Sequence, residues 1–130
     1  MNKAVATEQA PKAIGPYSQA IESGDWLFVS GQIPLDPDGK PVSGDIAAQT
    51  RRCLENLSAI LREAGLDLRD VVKTTVYMTD LGQFRAMNEA YSSYFHAPYP
   101  ARATVGITTL PRDALVEIEA IARRPVAAKQ

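Results

Sequence analysis

The chain has 130 residues, which is enough for one hydrophobic core, and we expect a single domain spanning residues 1–130. Lys and Arg total 14 against 15 Asp and Glu, so the net charge is −1 and there is no general basic surface for nucleic acid. The single cysteine, Cys53, excludes a disulfide within the chain and argues against a thiolate metal site. No run of about 20 apolar residues and no signal peptide is recognised, so we expect a cytoplasmic protein without a membrane partner.

The first strongly patterned segments are a strand and a helix. Residues 26–33 (WLFVSGQI) are rich in aromatic and branched side chains, which predicts a strand. Residues 34–44 are rich in proline and glycine and predict a connection made of turns. Apolar or small residues then recur every three to four positions over residues 46–64, which predicts a helix. Asp45 is its expected N-cap, and Gly65 is expected just beyond its end.

The second half of the chain predicts a strand, a helix and two more strands. Residues 71–79 are branched and alternating, and Asp80 is the expected N-cap of a second helix. The buried face of this helix is expected to carry Phe84, Met87, Tyr91 and Phe95. Asn88 lies at the edge of that face, and strands follow over residues 102–107 and 115–122. This order of elements predicts an α+β fold with the helices on one face of a sheet.

The alternation of the last two strands separates an apolar set from a polar set. Because successive strand residues face opposite sides, we expect the uniformly apolar sets to pack under the helices. Those sets are Ala103, Val105 and Ile107, and Val116, Ile118, Ala120 and Ala122. Arg102, Thr104, Glu117 and Glu119 would then share the uncovered face, close together if the two strands form an antiparallel hairpin.

Two interpretations of Arg102 and Glu117 remain open at this point. The planar guanidinium of Arg102 suits two parallel hydrogen bonds to a substrate carboxylate, and Glu117 would serve as a general base if burial raised its pKa. Alternatively, the two side chains form a cross-strand ion pair with no role in chemistry. The residue pattern alone favours the ion pair, because structural ion-pair networks are common, and leaves the substrate-binding interpretation open.

Aromatic side chains are also expected on the uncovered face of the sheet. If Leu27 and Val29 point toward the helices, Trp26 and Phe28 point away from them. A face that mixes large aromatics with ionic groups needs a cover, and a chain of this length has no further element to supply one. We therefore expect a homo-oligomer that packs sheet face to sheet face, with a pocket between subunits.

Short segments along the chain form a distinctive set. They are GPYSQA at 15–20, VSGQIP at 29–34, QT at 49–50, residues 56–66, VKTTVY at 72–77, YPAR at 99–102, LP at 110–111 and VEIEAIA at 116–122. In this order they resemble the Rid family (reactive intermediate deaminases, also called YjgF) over nearly the whole chain, especially the branch of 2-iminobutanoate/2-iminopropanoate deaminases.

The resemblance implies a fold, an assembly and an activity. The fold is a chorismate-mutase-like α+β subunit, a mixed sheet with two helices packed on one face, and the assembly is a homotrimer with sites at the subunit interfaces. The reaction is the hydrolysis of 2-iminopropanoate and 2-iminobutanoate, or their enamines, to 2-keto acids and ammonia. No cofactor and no metal is expected.

The resemblance also implies roles for individual residues. Arg102 would bind the substrate carboxylate, and Glu117 would position and activate the attacking water. Backbone groups of Gly31 and Thr104 would hold the imine end and the carboxylate. The pocket would be lined by Tyr17, Ser30 and Asn88, with Tyr17 contributed by a neighbouring subunit. Many family members carry cysteine where this chain has Thr104, and residues 95–99 look shorter than in some relatives.

Other functions remain as alternatives. The same pocket would suit a non-catalytic protein that binds keto acids or regulates metabolism, although the presence of Glu117 beside Arg102 favours an enzyme. A ribonuclease or translation inhibitor is disfavoured by the acidic composition. The sequence neither supports nor excludes a chaperone. The lone histidine, His96, is expected at the surface near the end of the second helix.

Overall fold

The computed structural model describes residues 1–126 and contains one mixed sheet with two helices. The strands are β1 (Lys3–Val5), β2 (Ala20–Ser23), β3 (Trp26–Gln32), β4 (Val71–Met78), β5 (Ala101–Gly106) and β6 (Val116–Arg123). The helices are α1 (Ile46–Glu63) and α2 (Phe84–Ser92), and single 3-10 turns cover Leu68–Asp70, Leu81–Gln83 and Pro111–Asp113. The predicted strands and helices are therefore confirmed to within a few residues, whereas β1 and β2 were not predicted.

The ends of α1 follow from local chemistry. The side chain of Asp45 accepts a hydrogen bond from the backbone N–H of Ala48 at 3.0 Å, as expected of an N-cap. Gly65 follows the helix with a φ of +78°, a conformation that glycine adopts at little cost. For the second helix, Asp80 caps the 3-10 turn that precedes α2 and accepts from Gly82 N–H at 2.8 Å.

The hydrophobic core lies between the helices and one face of the sheet. Its fully buried members from α1 include Leu54, Leu57, Ile60 and Leu61. The sheet contributes alternate residues of β3, β4 and β6, namely Leu27, Val29, Val76, Met78, Val116, Ile118, Ala120 and Ala122. Cys53 is fully buried in this core, and burial raises the pKa of its thiol, so it packs as a small apolar side chain.

The strand order is β1-β2-β3-β6-β4-β5, and this order overturns the expected hairpin of the last two strands. β6 inserts between β3 and β4 and is antiparallel to both, whereas β5 lies at the sheet edge and runs parallel to β4. The physical reason is that β4, α2 and β5 form a strand–helix–strand crossover, which joins parallel strands. β4 therefore separates Arg102 from Glu117.

The expected orientation of β5 is also wrong. In the β4–β5 register Thr74 pairs with Arg102 and Val76 with Thr104, so these side chains share the helix-covered side of the sheet. The apolar residues of β5 point to the open face instead, where Val105 is 39% exposed. An apolar set was expected to lie under the helices, but an edge strand can present its apolar side to the open face of a single chain.

The open face carries the aromatic side chains that the sequence places there. Leu27 and Val29 are buried under the helices, and the side chains of Trp26 and Phe28 point the other way and are 40% and 47% exposed. The guanidinium of Arg123 lies 5.3 Å from the centre of the Trp26 ring. This confirms the expected placement of the aromatic residues on the uncovered face.

None of the helices within residues 1–126 has the length and apolarity that crossing a membrane requires.

Candidate functional site

Arg102 lies on the edge strand β5 and is held by the neighbouring helix α2. Its guanidinium carbon is 4.8 Å from the centre of the Tyr91 ring and 5.5 Å from that of Phe84. Its Nη1 donates a hydrogen bond to Oδ1 of Asn88 at 2.7 Å. Among residues 1–126 this is the one hydrogen bond that the guanidinium makes, so its remaining donors suit an anion.

Thr104 follows Arg102 on the same side of β5, and its backbone points to the open sheet edge. The N–H of Ile107 donates to the carbonyl of Met78 on β4 at 2.8 Å. Because the backbone groups of a parallel strand point alternately to its two sides, those of Thr104 and Arg102 point away from β4. The N–H of Thr104 is therefore directed to the open edge of the sheet, on the strand that carries Arg102.

Glu117 lies on the opposite face of the sheet, on β6, and covers the backbone of Gly31. The β3–β6 register shifts between Val29 and Gln32, so Ser30 and Gly31 form an irregularity in β3. A Cβ atom at position 31 would coincide with the carboxylate of Glu117. A side chain at position 31 would therefore displace the carboxylate, which lies directly against the main chain.

The surroundings of Glu117 favour its neutral form. Partial burial raises the pKa of its carboxyl, and the nearby Glu119 carboxylate raises that pKa further. Glu119 in turn accepts a hydrogen bond from Oη of Tyr77 at 3.1 Å, and Tyr77 pairs with Glu117 in the β4–β6 register. A carboxyl whose pKa is shifted toward neutrality is suited to general acid–base chemistry.

Tyr17 and Ser30 lie on the open face of the sheet, as Glu117 and Glu119 do, and not on the side of Arg102. They line one groove of ≈ 480 Å³ on the open face, together with Phe28 and Glu119. Ser30 connects β3 to the segment that carries Tyr17, because its Oγ donates to the carbonyl of Ser18 at 2.6 Å. Its backbone N–H also donates to the carbonyl of Gln19 at 2.9 Å.

The predicted site residues therefore form two groups on opposite faces of one chain. The Arg group comprises Arg102, Asn88 and Thr104, and the Glu group comprises Glu117, Gly31, Ser30 and Tyr17. Within residues 1–126 Arg102 has no carboxylate partner, so the alternative of a cross-strand Arg102–Glu117 ion pair is wrong.

Three residues that contact the candidate groups were not identified from the sequence as site residues. Phe84 and Tyr91 were expected only to pack in the core, and Tyr77 was read as part of a strand. The spacing of Phe84, Asn88 and Tyr91 places all three on one side of α2, and that spacing is the signal that links the rings to Arg102. Tyr77 becomes relevant only through the β4–β6 register.

The described residues offer few donors for a metal ion. Over residues 1–126 no three His, Cys, Asp or Glu side chains are arranged so that they could hold one. His96 is exposed shortly after the end of α2, where the sequence places it.

Comparison with known proteins identifies the family. The family model described as Endoribonuclease L-PSP matches residues 7–124, which is most of the chain. The chain belongs to this family. A solved structure of YyfA from Yersinia pestis, described as a conserved Rid family protein, superposes with a TM-score of 0.92 at 46% identity, covering 95% of this chain and 99% of that one. The resemblance to the Rid/YjgF family is thus confirmed, and so is its subunit fold of a mixed sheet with two helices.

Relatives within the Endoribonuclease L-PSP family carry two kinds of name. A RutC family protein of Pyrococcus abyssi is 58% identical over 119 residues, which cover 91% of this chain and 94% of the relative. A protein of Salmonella typhimurium named 2-iminobutanoate/2-iminopropanoate deaminase is 48% identical over 127 residues, 95% of this chain and 99% of the relative. Relatives similar along their full length thus include a deaminase by name.

Proposed function

We propose that this protein hydrolyses 2-imino acids, or their enamine forms, to 2-keto acids and ammonia, with 2-iminopropanoate and 2-iminobutanoate as substrates. The observation that carries the proposal is that one chain presents two complementary groups on opposite faces of its sheet. One is the Arg102 guanidinium, which uses one donor to bind Asn88, and the other is the Glu117 carboxyl of raised pKa, which lies over Gly31. One group suits a carboxylate and the other suits a reacting water. The deaminase-named relatives support the same chemistry.

In the proposed reaction the two groups have separate tasks. Arg102 takes the substrate carboxylate in two hydrogen bonds, assisted by the N–H of Thr104. Glu117 accepts a proton from water as its oxygen attacks C2 of the imine, giving a tetrahedral carbinolamine. Glu117 then returns the proton to the nitrogen. As the C–N bond breaks and ammonia leaves, Glu117 accepts the proton of the hydroxyl group, which becomes the carbonyl of the keto acid, and passes that proton to solvent. A protonated imine is already electrophilic, so positioning and modest electrostatics suffice, without a cofactor or metal.

The assembly we propose is a homotrimer in which the Arg group of one subunit meets the Glu group of the next. The two groups occupy different surfaces of a chain, so an interface between them is heterologous, and such interfaces form a ring when the rotation between subunits closes. The Rid resemblance supplies the number three. Tyr17 shares a groove with Ser30 and so belongs to the Glu group. In this assembly it would therefore face Arg102 of the neighbouring subunit.

The binding-module alternative makes less use of the observed geometry. A protein that only retained keto acids would need Arg102 but would gain nothing from a partly buried carboxyl of raised pKa on the other face. The family description includes the word endoribonuclease. The chain, however, has 14 Lys and Arg against 15 Asp and Glu, and this balance argues against binding to nucleic acid. We accordingly propose a small-molecule substrate and no RNA substrate.

The proposal is tested by keto-acid release in competition with a trap. An amino-acid oxidase or dehydratase generates 2-iminopropanoate while semicarbazide competes for it. Wild type is expected to accelerate release of the keto acid, and Arg102→Ala is expected to lose the effect while keeping its oligomeric mass. Imines that lack a carboxylate are the matched control substrate. No acceleration by wild type for any small side chain would reject the deaminase and leave the binding module.

Sharing of the site between subunits is tested by co-expression. Arg102→Ala and Glu117→Gln are each expected to be inactive alone, but mixed oligomers contain interfaces that join an intact Arg group to an intact Glu group. With random mixing, the subunit that supplies the Arg group is intact there in half of the interfaces, and the same holds for the subunit that supplies the Glu group. About a quarter of the sites are therefore restored. No recovery in purified mixed oligomers would mean that one chain supplies both groups.

A further inference from the structure

Tyr91 contacts both Arg102 and the strand beside it. Thr74 on β4 is the register partner of Arg102 on β5, so the two side chains stand next to each other on one face of the sheet. Tyr91 lies over both of them, with its Oη 2.7 Å from Oγ1 of Thr74 and its ring 4.8 Å from the guanidinium carbon. The hydrogen bond therefore fixes the ring that the guanidinium rests on.

The Tyr91–Thr74 contact is buried, and so it holds the ring in one place. Thr74 is fully buried and Tyr91 is 5% exposed. Removing one partner from such a pair leaves the other without a hydrogen bond, which is costly away from water. Phe95 packs against the same ring in a tilted arrangement, with 4.7 Å between ring centres. The ring is thus held by a polar contact at its Oη and by packing against Phe95.

Asn88 and Phe84 complete the arrangement from the preceding turns of α2. Asn88 accepts from Nη1 of Arg102, and the ring of Phe84 lies 5.5 Å from the guanidinium carbon. A cation over an aromatic face is attracted by the ring quadrupole, more strongly when water is excluded. Arg102 therefore has contacts that define where its fork points before any ligand arrives, which lowers the entropy lost on binding.

We propose that Tyr91, anchored by Thr74, is a positioning residue for Arg102 that sets affinity for the substrate carboxylate. The inference rests on the proposed function because it takes Arg102 as the carboxylate anchor. Tyr91 does not touch the reacting atoms and takes no part in proton transfer. Its effect is expected on binding of carboxylate ligands and not on the chemical step.

The test compares Tyr91→Leu, Tyr91→Phe and Thr74→Val with wild type. Tyr91→Leu removes the ring and is expected to raise KM for 2-iminobutanoate, and Kd for 2-oxobutanoate, by roughly 5- to 30-fold with kcat nearly unchanged. Tyr91→Phe keeps the ring and is expected to recover most of the affinity. Thr74→Val is expected to give a smaller rise than Tyr91→Leu. Tyr94→Phe is the matched control, since its Oη binds Glu55 and lies away from Arg102.

An unchanged KM and Kd in a folded, oligomeric Tyr91→Leu would overturn the inference, and so would a fall in kcat alone. A crystal structure of Tyr91→Leu gives a readout independent of activity. Displacement of the Arg102 guanidinium from Asn88 supports the positioning role, and an unmoved guanidinium contradicts it. If wild type neither binds 2-oxobutanoate nor hydrolyses imines, the proposed function fails. The crystal structure of Tyr91→Leu then still decides whether Tyr91 positions Arg102.

Discussion

At the scale of single residues, the chemistry depends on the environment of one carboxyl group. Glu117 is a glutamate in an alternating strand, and the sequence alone leaves its protonation open. In the structure, partial burial raises its pKa first and the Glu119 carboxylate raises it further. Glu119 is itself engaged by Tyr77 on the neighbouring strand. The two carboxyl groups, separated by one residue in sequence, therefore have different surroundings and different expected roles.

The pH dependence of the reaction follows from these surroundings. Glu117 has to be deprotonated to accept a proton from water, so kcat/KM is expected to rise with pH through its raised pKa and then level off. Glu119→Gln removes the neighbouring negative charge, so the pKa of Glu117 falls and the acid limb moves to lower pH. Glu63→Gln at the exposed end of α1 is the matched control. An unchanged pH profile in Glu119→Gln would show that the base is another group.

The same shift has a consequence for stability. The folded state holds the proton of Glu117 more tightly than the unfolded chain does, so this group lowers stability as pH rises through its raised pKa. The cost is absent below the unfolded pKa and complete above the folded one.

At the scale of elements, two local features position the candidate residues. The crossover through α2 makes β5 parallel to β4 and carries Asn88, Phe84 and Tyr91 to Arg102. The irregularity at Ser30 and Gly31 opens β3 at the point where the Glu117 carboxylate reaches the main chain. Neither feature depends on an exceptional residue; each depends on where a neighbouring element runs.

The irregularity at Ser30 and Gly31 leads to a prediction for the variant Gly31→Ala. The added methyl group would occupy the place of the Glu117 carboxylate, which has to rotate away because the backbone cannot. We expect activity to fall by about 100-fold, since a small misplacement of a reacting group costs this much, while the fold is retained. To test whether Gly31→Ala acts through Glu117, the activity of Glu117→Gln is compared with that of the double variant Glu117→Gln, Gly31→Ala. A further loss in the double variant would mean that Gly31 acts independently of Glu117.

At the scale of the whole molecule, the open face of the sheet exposes large apolar side chains to solvent. It carries Phe28 at 47% and Trp26 at 40% exposure, with Val105 on the edge strand. Exposed apolar groups of this size, rimmed by charged side chains, are typical of interaction surfaces. A ring of subunits that covers this face would also bring the Arg group and the Glu group together.

Phe28→Glu tests whether this face holds the oligomer together. A charge placed in the apolar part of an interface cannot be solvated there, so we expect dissociation to monomers and loss of activity with retained secondary structure. Molar mass in solution and circular dichroism provide the measurements. Ala86→Glu is the matched control, because Ala86 is exposed on α2 on the side away from Arg102. An active oligomer of unchanged mass in Phe28→Glu would exclude this face as the interface.

By itself, the sequence determined the local structure and the family. Periodicity located α1 and α2 and the four longer strands, because burial of one face fixes the spacing of apolar residues in each element. The segments resembling the Rid family identified the candidate residues across the whole chain. The short strands β1 and β2 were missed, since a few residues give too little alternation to be recognised.

Only the tertiary structure decided which candidate residues lie together. Alternation gives two sides for each strand but does not say which side faces the helices or which strand is the neighbour. The insertion of β6 between β3 and β4, and the parallel pairing of β5 through α2, placed Arg102 and Glu117 on opposite faces. Strand order is set by contacts between residues far apart in sequence, so a local pattern cannot specify it.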